Sequence, residues 1–320
     1  MRLVLARVLT ALGTLAFVLT FNFFLFRAAG DPTSNLLRKP QISREEIERL
    51  IQERGLDESQ FEQFRIYLGN VLTGELETSY GSNRPVIDEL LDALPNTLLL
   101  VGVASVLAAA IGIWMGIAAG SRRGSATDAA LTRGSLTFYS MPEFWLGMIL
   151  IWLLAATVPL FPTGLKYEPG ATYDSFLDEI ADVAQHAILP ILTLAIGLAA
   201  QYVVITRAAL ADVLGQDFMT TARAIGLPRR RLLRRHAVPN ALLPVVTLAS
   251  LNLGFVVSGA ITVEAVFSWP GIGDLTLRAI DTKDYPMLQG IFLLTSTLVI
   301  VVNLLTDFLY AYLDPRVRTA

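Results

Sequence analysis

The chain has no cysteine, so disulfides and thiolate metal sites are excluded and the fold is held by packing alone. Histidine occurs only at His186 and His236, too few to build a structural zinc site without cysteines. Lysine occurs only at Lys39, Lys166 and Lys283, followed by Pro40, Tyr167 and Asp284. A Walker A loop requires Gly-Lys-Ser/Thr, so this chain cannot carry one. Charge of either sign is scarce: 17% of the 320 residues are charged against 53% hydrophobic, and the net charge is -3. A nucleic-acid binder needs a basic excess, so that class is excluded too. The closest approach to a Gly-x-Ser-Gly nucleophile, "VVSG" around Ser258, lacks its first glycine. Neither histidine falls inside an apolar run to serve as its base, which leaves intramembrane catalysis without a geometry.

Long apolar runs are what the chain does have. A spanning helix needs about 20 mostly apolar residues, and six stretches qualify: Val4 to Phe26, Leu94 to Ala119, Ser135 to Val158, Ala187 to Ala209, Leu242 to Val263, and Met287 to Leu313. The expected fold is therefore an all-α integral membrane protein with six transmembrane helices. The first stretch is too long for a signal-peptide core and lacks a small-x-small site before Arg27, so it reads as an uncleaved anchor over 1–26. Residues 27–93 form a polar segment too large for a turn; 94–313 form the helical core and 314–320 a tail.

Short loops that hold Lys and Arg stay in the cytoplasm. With the N-terminus inside, fourteen arginines fall on the cytoplasmic side and only Lys166, Arg278 and Lys283 in the two short outside loops. Both termini are expected in the cytoplasm, and the 27–93 segment outside. The densest positive charge, Arg229 to Arg235, lies in a cytoplasmic loop at about 211–240. Arginines there are ordinarily topology determinants, yet this loop is longer than a helix connection needs. It also has internal order: "ADVLGQDFMTTARAI" reads as helix, Gly226 suits the left-handed position that ends one, and Pro228 suits the first turn of the next. Arg229, Arg230 and Arg231 would oppose the dipole of that second helix, so they serve an acidic partner or lipid headgroups better than helix stability.

Ionisable residues within spans mark pathways or pairs by default. Asp307, on the same helical face as Asn303, is the clearest, and Arg207 near the cytoplasmic end of the fourth span is its candidate partner; snorkelling to the interface is the alternative for each. Glu143 beside Pro142 and Glu264 at the end of the fifth span are expected to be solvated near the interfaces. Trp269 in "SWPGIGDL" is expected to be an interfacial aromatic anchor held by rigid turn residues. The stretch Ser43 to Leu68 is amphipathic and opens with a capping-box-like Ser43-Arg44-Glu45-Glu46.

The cytoplasmic loop resembles the coupling segment of ABC importer permeases, which reads Glu-Ala-Ala, three residues, Gly, nine residues, Ile-x-Leu-Pro. The glycine falls on Gly226 and the proline on Pro239 with that spacing. Thr220, Thr221 and Ala222 stand at the first three positions, and His236 and Val238 replace the Ile and Leu. Further segments, including "AAGDP", "QFRIYLGNVLTGEL", "RPVIDELLDALPNTLLL", "SMPEFWLG", "VEAVFSWPGIGDL", "DYPMLQG" and "NLLTDFLYAYLDPRVR", resemble the dipeptide/oligopeptide (DppB/OppB-like) permeases over nearly the whole chain.

The resemblance implies a type I ABC importer permease of a bacterial inner membrane, not itself an enzyme. It would pair with a second, homologous permease, two cytoplasmic ATPases and an extracytoplasmic substrate-binding protein. No cofactor is implied for this chain; ATP and magnesium would be used by the ATPase subunits. The coupling residues implied are Thr220, Thr221, Ala222, Arg223, Ala224, Ile225, Gly226, Leu227, Pro228, Arg229, Arg230, Arg231 and Pro239. Ile225 and Leu227 would pack on an ATPase, and Gly226 would let the two helices approach and bend. Alternatives are cargo such as nickel chelates, glutathione or sugars, and a stand-alone secondary transporter. Against the last stands the lack of an inverted hydropathy repeat and of coupled intramembrane carboxylates.

Overall fold

A computed structural model describes residues 2–29, 48, 49, 51, 57–255 and 260–313. Among these residues the regular elements are helices, apart from an isolated antiparallel bridge between Thr78 and Pro85. In chain order they are α1 (Arg2–Ala29), α2 (Gln60–Thr73), α3 (Val86–Gly120), α4 (Ala126–Tyr139), α5 (Glu143–Ile151), α6 (Phe176–Leu214) and α7 (Asp217–Ala224). There follow α8 (Arg229–Leu232), α9 (Val238–Ala241), α10 (Leu243–Phe255), α11 (Ile261–Phe267), α12 (Ile272–Asp281) and α13 (Tyr285–Leu313). Wider π-helical turns continue α5 over Trp152–Thr157 and join α8 to α9 over Leu233–Ala237.

Four helices among the described residues are long and apolar enough to cross a membrane: Leu5–Ala28, Val86–Gly120, Phe176–Leu214 and Tyr285–Thr306. The third expected span, Ser135 to Val158, is not one straight helix. α4 and α5 meet at a bend of 102° and make a further span only if counted together. Pro142 lacks an N–H and keeps Met141 out of helical geometry, so the chain turns there. The expected span from Leu242 to Val263 is represented by α10 and the start of α11; residues 256–259 between them lie outside the described residues.

α3 starts at Val86, well before the expected Leu94, and Pro95 is accommodated inside it. α6 has 39 residues and retains Pro190. At 1.5 Å per residue it is about 58 Å long, so it overshoots a hydrocarbon core of about 30 Å.

The chain divides into two compact units, Met1–Leu94 with Leu275–Ala320, and Pro95–Asp274. In the first, α1 packs along α13, and α2 meets α1 through Phe23, Phe64 and Tyr67, with ring centroids 5.2 and 5.5 Å from Phe23. Asn22 is fully buried and donates to the Tyr67 hydroxyl at 3.1 Å and the Gln289 carbonyl at 3.2 Å. Asp284 is buried at the start of α13, where it accepts from the Ser79 hydroxyl (2.6 Å), Gly81 N–H (2.9 Å) and Met287 N–H (3.2 Å). That carboxylate caps the last helix and pins residues 79–81 of the polar segment to it. The Ser43 capping box lies outside the described residues.

In the second unit, α3 lies directly on α6 along Gly112, Gly116 and Gly120. A Cβ at Gly112 would come 2.6 Å from the Ala199 carbonyl oxygen, and one at Gly116 2.9 Å from that of Val203. Four-residue spacing of glycine thus brings the two backbones together. The apolar core around this contact takes Leu100, Ala104, Leu189, Leu194, Tyr202 and Phe267.

Candidate functional site: the coupling segment and its supports

α6 ends at Leu214, and the chain turns through Gly215 and Gln216 into α7. Arg223 reaches back from α7 to donate to the Leu214 carbonyl at 3.1 Å, satisfying a group the helix end would leave open. On its inner face α7 buries Met219 and Ala222 against Leu210, Val213, Leu232, Ala237 and Ala241. Its outer face leaves Thr220, Thr221, Arg223, Ala224 and Ile225 exposed. The two-sided character of α7, Asp217–Ala224, thus takes physical form as one packed stripe and one free stripe.

The end of α7 has the hydrogen bonds of a left-handed helix stop. Gly226 N–H donates to the Arg223 carbonyl (3.0 Å) and Leu227 N–H to that of Ala222 (3.3 Å), with Gly226 at φ +82°. This is the Schellman arrangement, in which Leu227 also folds back on the apolar cluster. The left-handed position expected of Gly226 is therefore present. The expected close approach of two helices at that glycine is not: among the described residues a Cβ there would meet nothing within 4 Å. Glycine is required by the backbone angle, while the space beside it is open.

Ile225 and Leu227 do not share an environment. Ile225 is 71% exposed, whereas Leu227 is half-buried in the cluster with Met219 and Leu232. Pro228 stands just before α8, at φ −64° and ψ 140°, with Arg229, Arg230 and Arg231 in the one turn that follows. All three arginines are exposed, as is Pro239 at the start of α9. Arg229 nonetheless donates to the Ser121 carbonyl at 2.7 Å, tying the segment to the end of α3.

Arg207, on α6 just before this segment, pairs with Asp128; the side chain of Asp307, its expected partner, lies outside the described residues. Its Nε and Nη2 both donate to the carboxylate, Nη2 at 2.9 Å, and Gly124 N–H adds a third bond at 2.9 Å. Ser125-x-x-Asp128 is a helix-start signature, and Ser125 does cap α4. That signature marks the helix; it does not reveal that the acid turns toward α6, 79 residues away. Arg207→Ala is expected to lower the detergent-solubilised stability by about 2 kcal/mol, the scale of a lost charged hydrogen bond, with Asp128→Arg/Arg207→Asp recovering part of it. Identical melting temperatures for wild type and Arg207→Ala would mean the pair contributes nothing.

Glu264 and Trp269 both depart from expectation. Glu264 is fully buried, not solvated: it accepts from the Thr97 hydroxyl (2.7 Å), Gly273 N–H (2.7 Å) and Asp274 N–H (3.2 Å). Trp269 is also fully buried, with its indole N–H donating to the Asn96 carbonyl at 3.1 Å, so it is a core residue and not an interfacial anchor. Asn96 in turn donates to the Pro270 carbonyl at 2.8 Å, and Thr97 accepts from Ile272 N–H at 2.8 Å. A buried carboxylate thus ties the turn after α11 to α3. In the sequence, Asn96 and Thr97 are legible only as two polar residues in an apolar run.

Glu143 is half-buried at the start of α5, with a carboxylate oxygen 3.9 Å from where a Cβ on Gly197 would sit. His186, three turns into α6, is buried beside Asp182, Nδ1 to Oδ1 3.1 Å. Asp182 also accepts from the Tyr173 hydroxyl at 2.6 Å, a donation that pushes the phenol up to about 12.

Comparison with known proteins follows the same lines. Residues 109–319 match the family described as binding-protein-dependent transport system inner membrane component, and residues 1–101 match its N-terminal companion. The oligopeptide transport system permease protein AppB of Bacillus subtilis is 36% identical over 317 residues, covering 98% of each chain. The dipeptide transport system permease protein DppB of Escherichia coli K12 is 38% identical, over 94% of this chain and 93% of its own. The glutathione transport system permease protein GsiC of the same strain is 37% identical over 98% of each. Among solved structures, an inward-facing form of the MetNI methionine ABC transporter superposes with a TM-score of 0.57 at 18% identity, over 71% of this chain and 96% of that one. Family models that together cover nearly the whole chain and relatives aligned almost end to end leave one assignment: this chain belongs to the family of binding-protein-dependent transport system inner membrane components.

Proposed function

We propose that this chain is the membrane-spanning permease subunit of an ATP-driven importer of di- or oligopeptides, with the 211–240 segment as its contact with the ATPases. The observation that carries the reading is the shape of that segment. A packed inner stripe holds it rigidly to α6, while Ile225 and the open space at Gly226 form its free tip. A rigid lever with a free apolar tip suits transmission of motion from a partner, since a packed element moves as a unit. Peptide cargo is supported by the names of the relatives AppB and DppB. Glutathione, named for GsiC, is itself a tripeptide and falls in the same chemical class.

In the proposed assembly, six spans place both termini in the cytoplasm and the 27–93 segment outside. A second homologous permease, two ATPases using ATP and magnesium, and an extracytoplasmic binding protein complete it. This chain itself carries out no catalysis and holds no cofactor. Proteoliposomes with the full importer are expected to accumulate dipeptides only with ATP and binding protein. Uptake by this chain alone, driven by a proton gradient, would overturn the assignment.

Orientation is tested separately, and the absence of cysteine makes that simple. Leu72→Cys, at a position 83% exposed on α2, is expected to react with an impermeant maleimide from outside intact cells. Thr221→Cys is expected to react only in inverted vesicles. The opposite pattern would reverse the topology.

A further inference from the structure

A notch lies between the ends of α3 and α6, beneath the coupling segment. Ser121, Arg122, Arg123, Ser125, Leu214 and Arg229 line it. It continues past Arg223 along an apolar wall of Leu227, Leu232 and Leu233. Arg122, Arg123 and Arg229 therefore border the notch, Arg223 and Arg229 border its continuation, and among the described residues no carboxylate lines either part. The nearby acid Asp128 is already taken up by Arg207, Gly124 N–H and Thr132. Like charges gathered without a counter-charge repel, and an anion between them reverses the sign of that interaction.

The arginines divide by direction. Arg223 and Arg229 turn back toward the span ends, to the Leu214 and Ser121 carbonyls, and so away from the exposed Ile225–Gly226 tip. Each spends one of its five N–H donors there and keeps the rest. Arg122 and Arg123 are exposed and make no side-chain hydrogen bond or ion pair among the described residues. Arg230 and Arg231 line neither part of the notch.

We propose that this notch binds the phosphodiester headgroup of an anionic phospholipid. The shared chemistry is a phosphate oxygen cluster met by guanidinium forks. Lipid is the source favoured over free phosphate because the notch has a leucine wall suited to glycerol and the first acyl carbons, an apolar surface that a free phosphate does not use. The binding rests on the proposed topology only in naming the cytoplasmic leaflet; the maleimide experiment tests that topology independently. A lipid so placed would bridge α3, α6 and the coupling segment, making their relative position sensitive to membrane composition.

The test uses the whole importer, purified in detergent and exchanged against phosphatidylglycerol or phosphatidylcholine, with retained lipid quantified by mass spectrometry. Wild type is expected to retain phosphatidylglycerol over phosphatidylcholine. Arg122→Gln/Arg123→Gln is expected to lower that retention by about tenfold or more, given the contribution of each basic residue near an anionic headgroup. Arg230→Gln/Arg231→Gln is expected to leave it unchanged, and Arg122→Lys/Arg123→Lys to keep most of it, which separates charge from misfolding. Equal retention by both glutamine variants, or no preference for phosphatidylglycerol, would overturn the site. Displacement by inorganic phosphate would reassign it to a free anion, and loss of the ATPases from Arg122→Gln/Arg123→Gln would reassign its arginines to protein contact; either overturns the lipid proposal.

Discussion

Gly226→Trp is expected to give a correctly inserted permease whose importer still hydrolyses ATP but takes up peptide at less than about a tenth of the wild-type rate, a loss of at least 1.4 kcal/mol in coupling. Two effects combine, and the structure separates them. At φ +82° any side chain is strained, costing roughly 1–2 kcal/mol, and asparagine tolerates this best. The second effect depends on size. Because no described residue lies within 4 Å of a Cβ there, an indole would extend into space proposed for the ATPase. The order of uptake is therefore expected to run wild type, Gly226→Asn, Gly226→Ala, Gly226→Trp. Reconstituted uptake and ATPase rates measured side by side decide it. If alanine and tryptophan are equally harmful, backbone strain is the whole effect and the tip is not a docking surface; normal transport by the tryptophan variant would refute both.

The second large effect is expected at Glu264. Glu264→Ala strips the acceptor from Gly273 N–H, Asp274 N–H and the Thr97 hydroxyl at a fully buried position. Leaving such donors unpaired costs about 1–3 kcal/mol each, and the hydroxyl can rotate to another acceptor, so a total of about 3–5 kcal/mol is expected. Gly271→Ala should be nearly as damaging, because its methyl would run into the Glu264 carboxylate. The two changes relieve each other in part, since removing the carboxylate vacates the space the methyl needs. Thermal unfolding of the double variant is expected to show a loss smaller than the sum of the singles, by about 0.5–3 kcal/mol. Strict additivity would mean that the close approach between Gly271 and Glu264 is not what makes that glycine necessary. Glu264→Gln should fall between, because its amide keeps one acceptor but sets an NH2 group against the remaining donors.

The local structure of the 211–240 segment is readable from the chain because its determinants are local. Gly226 ends a helix through its own φ, Pro228 disfavours helix continuation at Leu227, and the apolar spacing of Met219 and Ala222 marks the packed face. The long spans are readable for a similar reason, since hydrocarbon demands about 20 apolar residues in a row wherever they occur. The bend at Ser140–Pro142 is present in the sequence as a proline signal, but the apolar runs on either side outweigh it.

The side-chain partners are not readable. An intramembrane acid is conspicuous, so the sequence points Arg207 toward Asp307 and gives no sign that Asp128, in the first turn of α4, is an acid the fold brings to it. Glu264 and Trp269 read as interfacial because both flank an apolar run; both are buried because α3 supplies Asn96 and Thr97 from well over a hundred residues away. Whether a carboxylate faces water or three donors is a property of the surface that packs against it. Hydropathy, helix stops and the positive charge of loops act over a turn or a span, and from them the membrane character, the helical class and the helix stop at Gly226 follow. The glycine-mediated contact of α3 with α6, the buried acid and the inward turn of Arg223 and Arg229 come from distant segments meeting, and no local pattern in the chain encodes those meetings.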